Sequence, residues 1–250
     1  MPSKEAQLLP SQSKPMETRD VGETMQNRAG ALAGTASVSG QAADAVISTD
    51  GSGMSAGERG TDGEAVAYEE WHAGIGRTIS FRRVTMEADF ERLHAWHREP
   101  HVVPFWQLAI PEEKYRAHLE AFLADTHQTL YIGMLDGEPM SYFESYWAER
   151  DVLAGAYEAE SGDQGIHLLI GPPAYLGKGY AAPLLQAMMR LQLRERATSR
   201  LVAEPDARNA KMIHIFEQCG YAFLRHIELP DKTAALMIAE RSRAEELLNR

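Results

Sequence analysis

One histidine interrupts an otherwise apolar run, Gly165-Ile166-His167-Leu168-Leu169-Ile170. A free imidazole titrates near ~6.5, so His167 can exchange a proton close to neutral pH. Further on, Gly177-Lys178-Gly179-Tyr180-Ala181 opens an apolar segment that reads as a helix. Two glycines leave the backbone bare where a helix start presents unpaired N–H groups and a partial positive charge, which together make a cradle for phosphate. The loop is neither a Walker A motif, which needs Gly-Lys-Ser/Thr after four spacers, nor G-x-G-x-x-G, whose third glycine is missing. Two carboxylates complete the set. Asp206 precedes a helix, and Glu144 alternates with Tyr142 and Tyr146 on one strand face, where it would meet an ammonium or hydroxylated amine if that face lines a cleft. Each has a plainer reading: a satisfied core histidine, an ordinary turn, a helix-start anion, a solvated carboxylate.

The elements that must hold these residues follow from periodicity. Thr78–Val84 alternates with period two and is expected to be the first strand. Phe90, Leu93 and Trp96 are spaced as on a helix that stops near Pro100. His101-Val102-Val103-Pro104-Phe105-Trp106 is expected to form a loop, with Phe105 and Trp106 as either a water-excluding lid or core. A second helix is expected from Pro111 to about His127. Strands 129–135 and 140–147 flank Asp136-Gly137, a hairpin signal. Asp151 to Gly162 reads as an acidic loop. Ala181, Leu184, Leu185, Met188 and Leu191 mark a helix running to about Arg196. Pro183 is tolerated because first-turn N–H groups have no intrahelical partner. Strand 200–204 leads to a helix with Asn209 as cap and Gly220 as stop. Strands 221–227 and 234–239 and a charged tail close the chain. The fold class expected is α/β, a mixed sheet flanked by helices.

Composition bounds the rest. All Phe, Trp and Tyr lie from Tyr68 onward, whereas residues 1–67 are rich in Ala, Gly, Ser and Thr. Without aromatic bulk such a segment cannot offset its ordering entropy, so 1–67 is expected to be a disordered tail and 68–250 one domain. The net charge of −11, with no basic cluster longer than Arg82-Arg83, argues against nucleic acid or an anionic membrane as partner and favours a cationic substrate. No apolar run approaches the ~20 residues that span a bilayer, and Met1-Pro2-Ser3-Lys4-Glu5 lacks the apolar core of a signal peptide. A single cysteine, Cys219, allows no internal disulfide, so a cytoplasmic setting is expected. The histidines lack zinc-site spacing, so no metal is expected.

Leu176-Gly177-Lys178-Gly179-Tyr180-Ala181 resembles the acyl-CoA pyrophosphate loop of the GNAT acetyltransferases, Gln/Arg-x-x-Gly-x-Gly/Ala, with Leu176 departing from it. Residues ~75–245 resemble that superfamily, and more narrowly its siderophore-biosynthesis branch of aerobactin-type N-hydroxylysine acetyltransferases and mycobactin-type lysine acyltransferases. The segments carrying the narrower match are His101–Trp106, Phe143–Trp147, Asp163–Gly171 and Glu204–Asn209. The resemblance implies a GNAT-like, mostly antiparallel central sheet. It implies His167 and Asp206 as catalytic residues at the ends of neighbouring strands. It implies acyl-CoA contacts at Leu169, Ile170, Gly177, Lys178, Gly179, Tyr180, Ala181 and Asn209. Amine contacts fall to Trp106, Glu144, Tyr146 and His167. A neutral His167 would accept the proton from the attacking nitrogen, Asp206 would orient it or hold the hydroxylamino group, and a Leu168 or Leu169 N–H would polarise the thioester oxygen. Phe216 stands where many of these enzymes keep a tyrosine to protonate the leaving thiolate, which leaves that acid unassigned.

Three functions fit. The first is acetyl transfer from acetyl-CoA, as co-substrate, to the N-hydroxylated side-chain amine of lysine or a related diamine, giving a hydroxamate. The second is antibiotic N-acetylation, since aminoglycoside acetyltransferases share the His/Val/Pro-Phe-Trp and Gly-Glu-Pro segments. The third is an acyl-CoA-binding module without turnover.

Overall fold

The structure is a computed structural model and describes residues 65–249. The expected tail, apart from Ala65, Val66 and Ala67, lies outside the described residues. Eight strands form one sheet: β1 (Val66–His72), β2 (Arg77–Arg83), β3 (Gln128–Leu135), β4 (Glu138–Trp147), β5 (Asp163–Ile170), β6 (Arg200–Ala203), β7 (Ala222–Glu228) and β8 (Thr233–Glu240), in the order β1-β2-β3-β4-β5-β6-β8-β7. Every junction is antiparallel except β5–β6, which is parallel. The mixed, mostly antiparallel sheet expected from the sequence is therefore present. Among the described residues six α-helices accompany it: α1 (Met86–His97), α2 (Val103–Trp106), α3 (Glu112–Ala124), α4 (Ala181–Leu193), α5 (Ala210–Gln218) and α6 (Arg241–Leu248).

Period-two alternation divides the sheet into two buried faces. On one, Leu184, Leu185 and Met188 of α4 pack against Phe81, Phe143, Ile166 and Leu201. On the other, Phe90, Leu93 and Trp96 of α1 join Tyr115 and Leu119 of α3 over Ile132, Tyr142 and Leu169. Burying each such side chain contributes roughly 1.5–3 kcal/mol, so the two helix layers hold the sheet from both sides. At the β3–β4 turn, Asp136 and Gly137 both adopt positive φ (51° and 82°), as a two-residue hairpin requires. Asp136 also accepts from the Thr78 N–H at 2.8 Å and from Arg77 at 2.6 Å.

Several boundaries differ from expectation. Thr78–Val84 is not the first strand, because β1 pairs outside it as an edge. Of β1 only Tyr68 is buried, so its pattern carries little inward periodicity. His101–Trp106 is not all loop: Pro104 sits in the first turn of α2, where its missing N–H costs nothing. Helix α3 ends at Ala124 and α4 at Leu193, each short of its expected end. The charged tail is helix α6, whose Ala244 is fully buried. Arg241, at its start, donates to the carbonyls of Leu193 (2.7 Å) and Thr198 (2.8 Å), placing a cation at the C-terminal end of α4.

Candidate active site

The parallel β5–β6 ladder pairs only Asp163, Gln164 and Gly165 with Arg200, Leu201 and Val202. Beyond Gly165 the two strands part, and a cavity opens there. His167, Glu144, Glu204, Trp106, Asp206 and Asn209 are among its lining residues.

Register brings the first pair together. Glu144 of β4 and His167 of β5 are direct antiparallel partners, and the Glu144 carboxylate meets His167 Nδ1 at 2.7 Å. The other ring nitrogen, Nε2, is bonded to Glu204, which follows β6. Glu204 has a side chain with no exposed surface. It also accepts from the Tyr146 hydroxyl at 2.6 Å and lies 3.7 Å from Lys232 Nζ. Tyr142 donates to Glu144 at 3.0 Å. Thus Tyr142, Glu144 and Tyr146 share one buried face of β4, and the solvated alternative for Glu144 does not hold.

Electrostatics follow from this clamp. Burial on its own pushes the His167 imidazole down, but the Glu204 charge and the hydrogen bonds to both carboxylates reverse that and raise it to about 9. His167 therefore holds both ring protons at neutral pH, unlike the neutral imidazole expected from the sequence. The side chain keeps 15% of its surface exposed, enough for contact with a ligand in the cavity.

Trp106 stands edge-on to His167, with ring centroids 6.1 Å apart, and also packs on His97 and Tyr142. It is at once a cavity wall and part of the core. Asp206 lines the cavity, but its carboxylate is taken by Arg208, through Nη2 at 2.6 Å and Nε at 2.9 Å. That guanidinium holds the Asp206 carboxyl below its ordinary range. Glu204, rather than Asp206, is the residue bonded to His167. Its position in Glu204-Pro205-Asp206 was visible in the sequence, but nothing in strand periodicity says which of two nearby carboxylates turns inward.

The expected acyl-CoA residues fall into two groups. Gly177 and Gly179 have φ of +70° and +76°, and a Cβ on either would meet nothing within 4 Å, so open space lies beyond both. Lys178 is exposed, and α4 begins after Tyr180 with Ala181 and no side-chain cap. Asn209 lines the cavity and caps α5, accepting from the Met212 N–H at 3.2 Å. By contrast, the side chain of Leu169 packs under α1, and the Ile170 carbonyl is bonded to His101 Nε2 at 2.8 Å. Phe216 also lines the cavity. Among the described residues no group of three or more His, Cys, Asp or Glu could hold a metal ion, and no helix is long and apolar enough to cross a membrane.

Comparison with protein families decides what this arrangement is part of. Residues 85–229, more than half of the chain, match the model of the acetyltransferase (GNAT) domain. The chain belongs to the GNAT family. Among its relatives, this GNAT domain is 32% identical over 175 residues to an N(6)-hydroxylysine O-acetyltransferase of Escherichia coli, covering 70% of this chain and 56% of that protein. The chain thus spans little more than half the length of that relative. Two solved structures are also similar. A crystal structure of an uncharacterized protein from Bacillus halodurans is 47% identical with a TM-score of 0.72, covering 75% of this chain and 96% of that one. Aminoglycoside acetyltransferase AAC(6')-Ib in complex with coenzyme A is 26% identical with a TM-score of 0.62, covering 67% of this chain and 98% of that one.

Proposed function

We propose that this protein is an acetyl-CoA-dependent N-acetyltransferase. Its acceptor is the N-hydroxylated side-chain amine of lysine or a related diamine, and its product is a hydroxamate of the kind used in siderophore synthesis. The observation that carries the reading is the buried Glu144–His167–Glu204 array on the floor of a cavity that opens where β5 and β6 part. The hydroxylysine enzyme of Escherichia coli supports the acceptor class.

The residues present suit acyl-CoA. The uncapped start of α4, reached through two glycines at positive φ with open space beyond, fits a pyrophosphate. Acyl-CoA supplies a thioester carbonyl activated toward attack by nitrogen. On β5 past Gly165 the edge toward β6 has no ladder, so a backbone N–H there is available to the developing oxyanion.

An N-alkylhydroxylamine is a weaker base than an alkylamine and arrives uncharged at neutral pH. Its nitrogen lone pair attacks the carbonyl carbon, the C–N bond forms, and the C–S bond then breaks. The proton lost from nitrogen passes to the Glu144–His167–Glu204 array. Because His167 is already protonated, the accepting group is one of its carboxylates, and the three groups titrate as a unit. Trp106 walls the cavity from solvent. Asp206 stands on the same wall with Arg208 bound to it and serves to position the acceptor.

The test is to supply acetyl-CoA with N6-hydroxylysine, with lysine and with kanamycin, and to follow free CoA thiol together with the ferric-hydroxamate colour. The expected result is thiol release matched by hydroxamate only with N6-hydroxylysine. Faster turnover of kanamycin would install the antibiotic reading instead. No thiol above background with any acceptor would leave a binding module.

A further inference from the structure

Resting on the acceptor class proposed above, a balance of the cavity's charges leaves one group over. Glu144 is paired with His167, and Glu204 with His167 and Lys232. Asp206 is paired with Arg208. Asp231, which lines the same cavity on the β7–β8 turn, has no cation or hydrogen-bond donor on its carboxylate among the described residues. Only its backbone carbonyl is engaged, by Gln107 Nε2 at 3.2 Å. A carboxylate in a cavity wall with no cation on it offers a counter-charge to a bound ammonium.

The neighbouring residue reaches the array. The Lys232 side chain is mostly buried and runs from the β7–β8 turn to the array, its Nζ reaching 3.7 Å from Glu204 Oε1. Asp231, one residue earlier in the same turn, is part of the wall of that cavity. An acceptor whose reacting nitrogen sits at His167 therefore shares its cavity with Asp231.

We infer that Asp231 is a specificity-determining residue that binds the second, unreacting ammonium of the acceptor. It favours acceptors that carry a second ammonium over monoamines of the same length. Glu204 is too deep and too fully occupied by Tyr146, His167 and Lys232 to play that part.

Binding measured without turnover tests this independently of the acceptor's hydroxylation. Calorimetry on the full chain, with CoA present, compares 1,5-diaminopentane with pentylamine. The wild type should bind the diamine about tenfold more tightly, as one exposed-to-buried ion pair allows. Asp231→Asn should erase that preference while pentylamine affinity stays put, and Asp231→Glu should keep most of it. Equal affinities in the wild type, or a preference that survives in Asp231→Asn, would overturn the inference. If the diamine preference is present and Asp231-dependent but N6-hydroxylysine releases no thiol, the inference stands and the proposed reaction falls.

Discussion

Tyr146 and Gly165 are register partners on adjacent strands, and the tyrosine ring lies across the glycine so closely that a Cβ there would come within 2.1 Å of Tyr146 Cζ. The bare Cα is what lets the ring lie flat and carry its hydroxyl to Glu204. Gly165→Ala should therefore displace Tyr146 and loosen Glu204. The expected cost is about 1–3 kcal/mol in stability, the usual range for overpacking, read from thermal or urea unfolding. Turnover should fall with it. Unchanged melting would mean that the ring has room to move.

His167→Ala removes the cation between two buried carboxylates. Turnover should drop by about 10²–10⁴, the range of positioned acid–base help. Stability should fall as well, because an uncompensated buried charge is left behind. Steady-state kinetics with folded protein, checked by circular dichroism, separates the two effects. KM for acetyl-CoA should stay near the wild-type value, since the pyrophosphate cradle lies elsewhere.

The raised His167 value sets a pH signature. A group whose folded value lies above its unfolded one stabilises the fold fully below about pH 6.5, and that stabilisation is lost as pH rises through about 9. Melting temperature followed from pH 6 to 10 should show a gap between wild type and His167→Gln that narrows across that window. A gap that widens with pH would contradict the carboxylate clamp.

Asn209 is both a helix cap and a cavity residue. Asn209→Ala should cost about 0.5–2 kcal/mol, as lost N-caps do, and should raise KM for acetyl-CoA. Asn209→Ser restores the cap without the amide, so recovery of stability but not of KM would assign the amide to acyl-CoA.

Gly177→Ala places a methyl into open space yet forces an L-residue to φ near +70°, at a cost of roughly 1–2 kcal/mol. The expected result is a weaker acetyl-CoA affinity with little change in kcat. A drop in kcat alone would move the cradle away from the pyrophosphate.

Much of this was legible in the residues. Asp136-Gly137 announced its hairpin, Asn209 and Gly220 bracketed α5, and the heptad-like spacing of Leu184, Leu185 and Met188 gave α4 its buried face. His167 and Glu144 could be singled out by type, but that they face each other is a matter of register between β4 and β5. Glu204 was hidden for a similar reason. Its inward turn depends on where the short β5–β6 ladder stops, which is a tertiary fact. Strand β1 and helix α6 escaped because each buries few apolar side chains and is held largely by pairing or by Arg241. Lys232 and Asp231 sit in a turn with no motif, so only the tertiary fold brings them to the cavity.

The central claim is that the Glu144–His167–Glu204 array takes the proton from an attacking hydroxylamine nitrogen. Single-turnover acyl transfer from saturating acetyl-CoA to N6-hydroxylysine by Glu204→Gln tests it most directly, because the amide keeps the shape and an acceptor toward His167 while removing the charge. The account predicts a rate lowered by about 10² or more with acetyl-CoA affinity retained. A rate equal to wild type would contradict it.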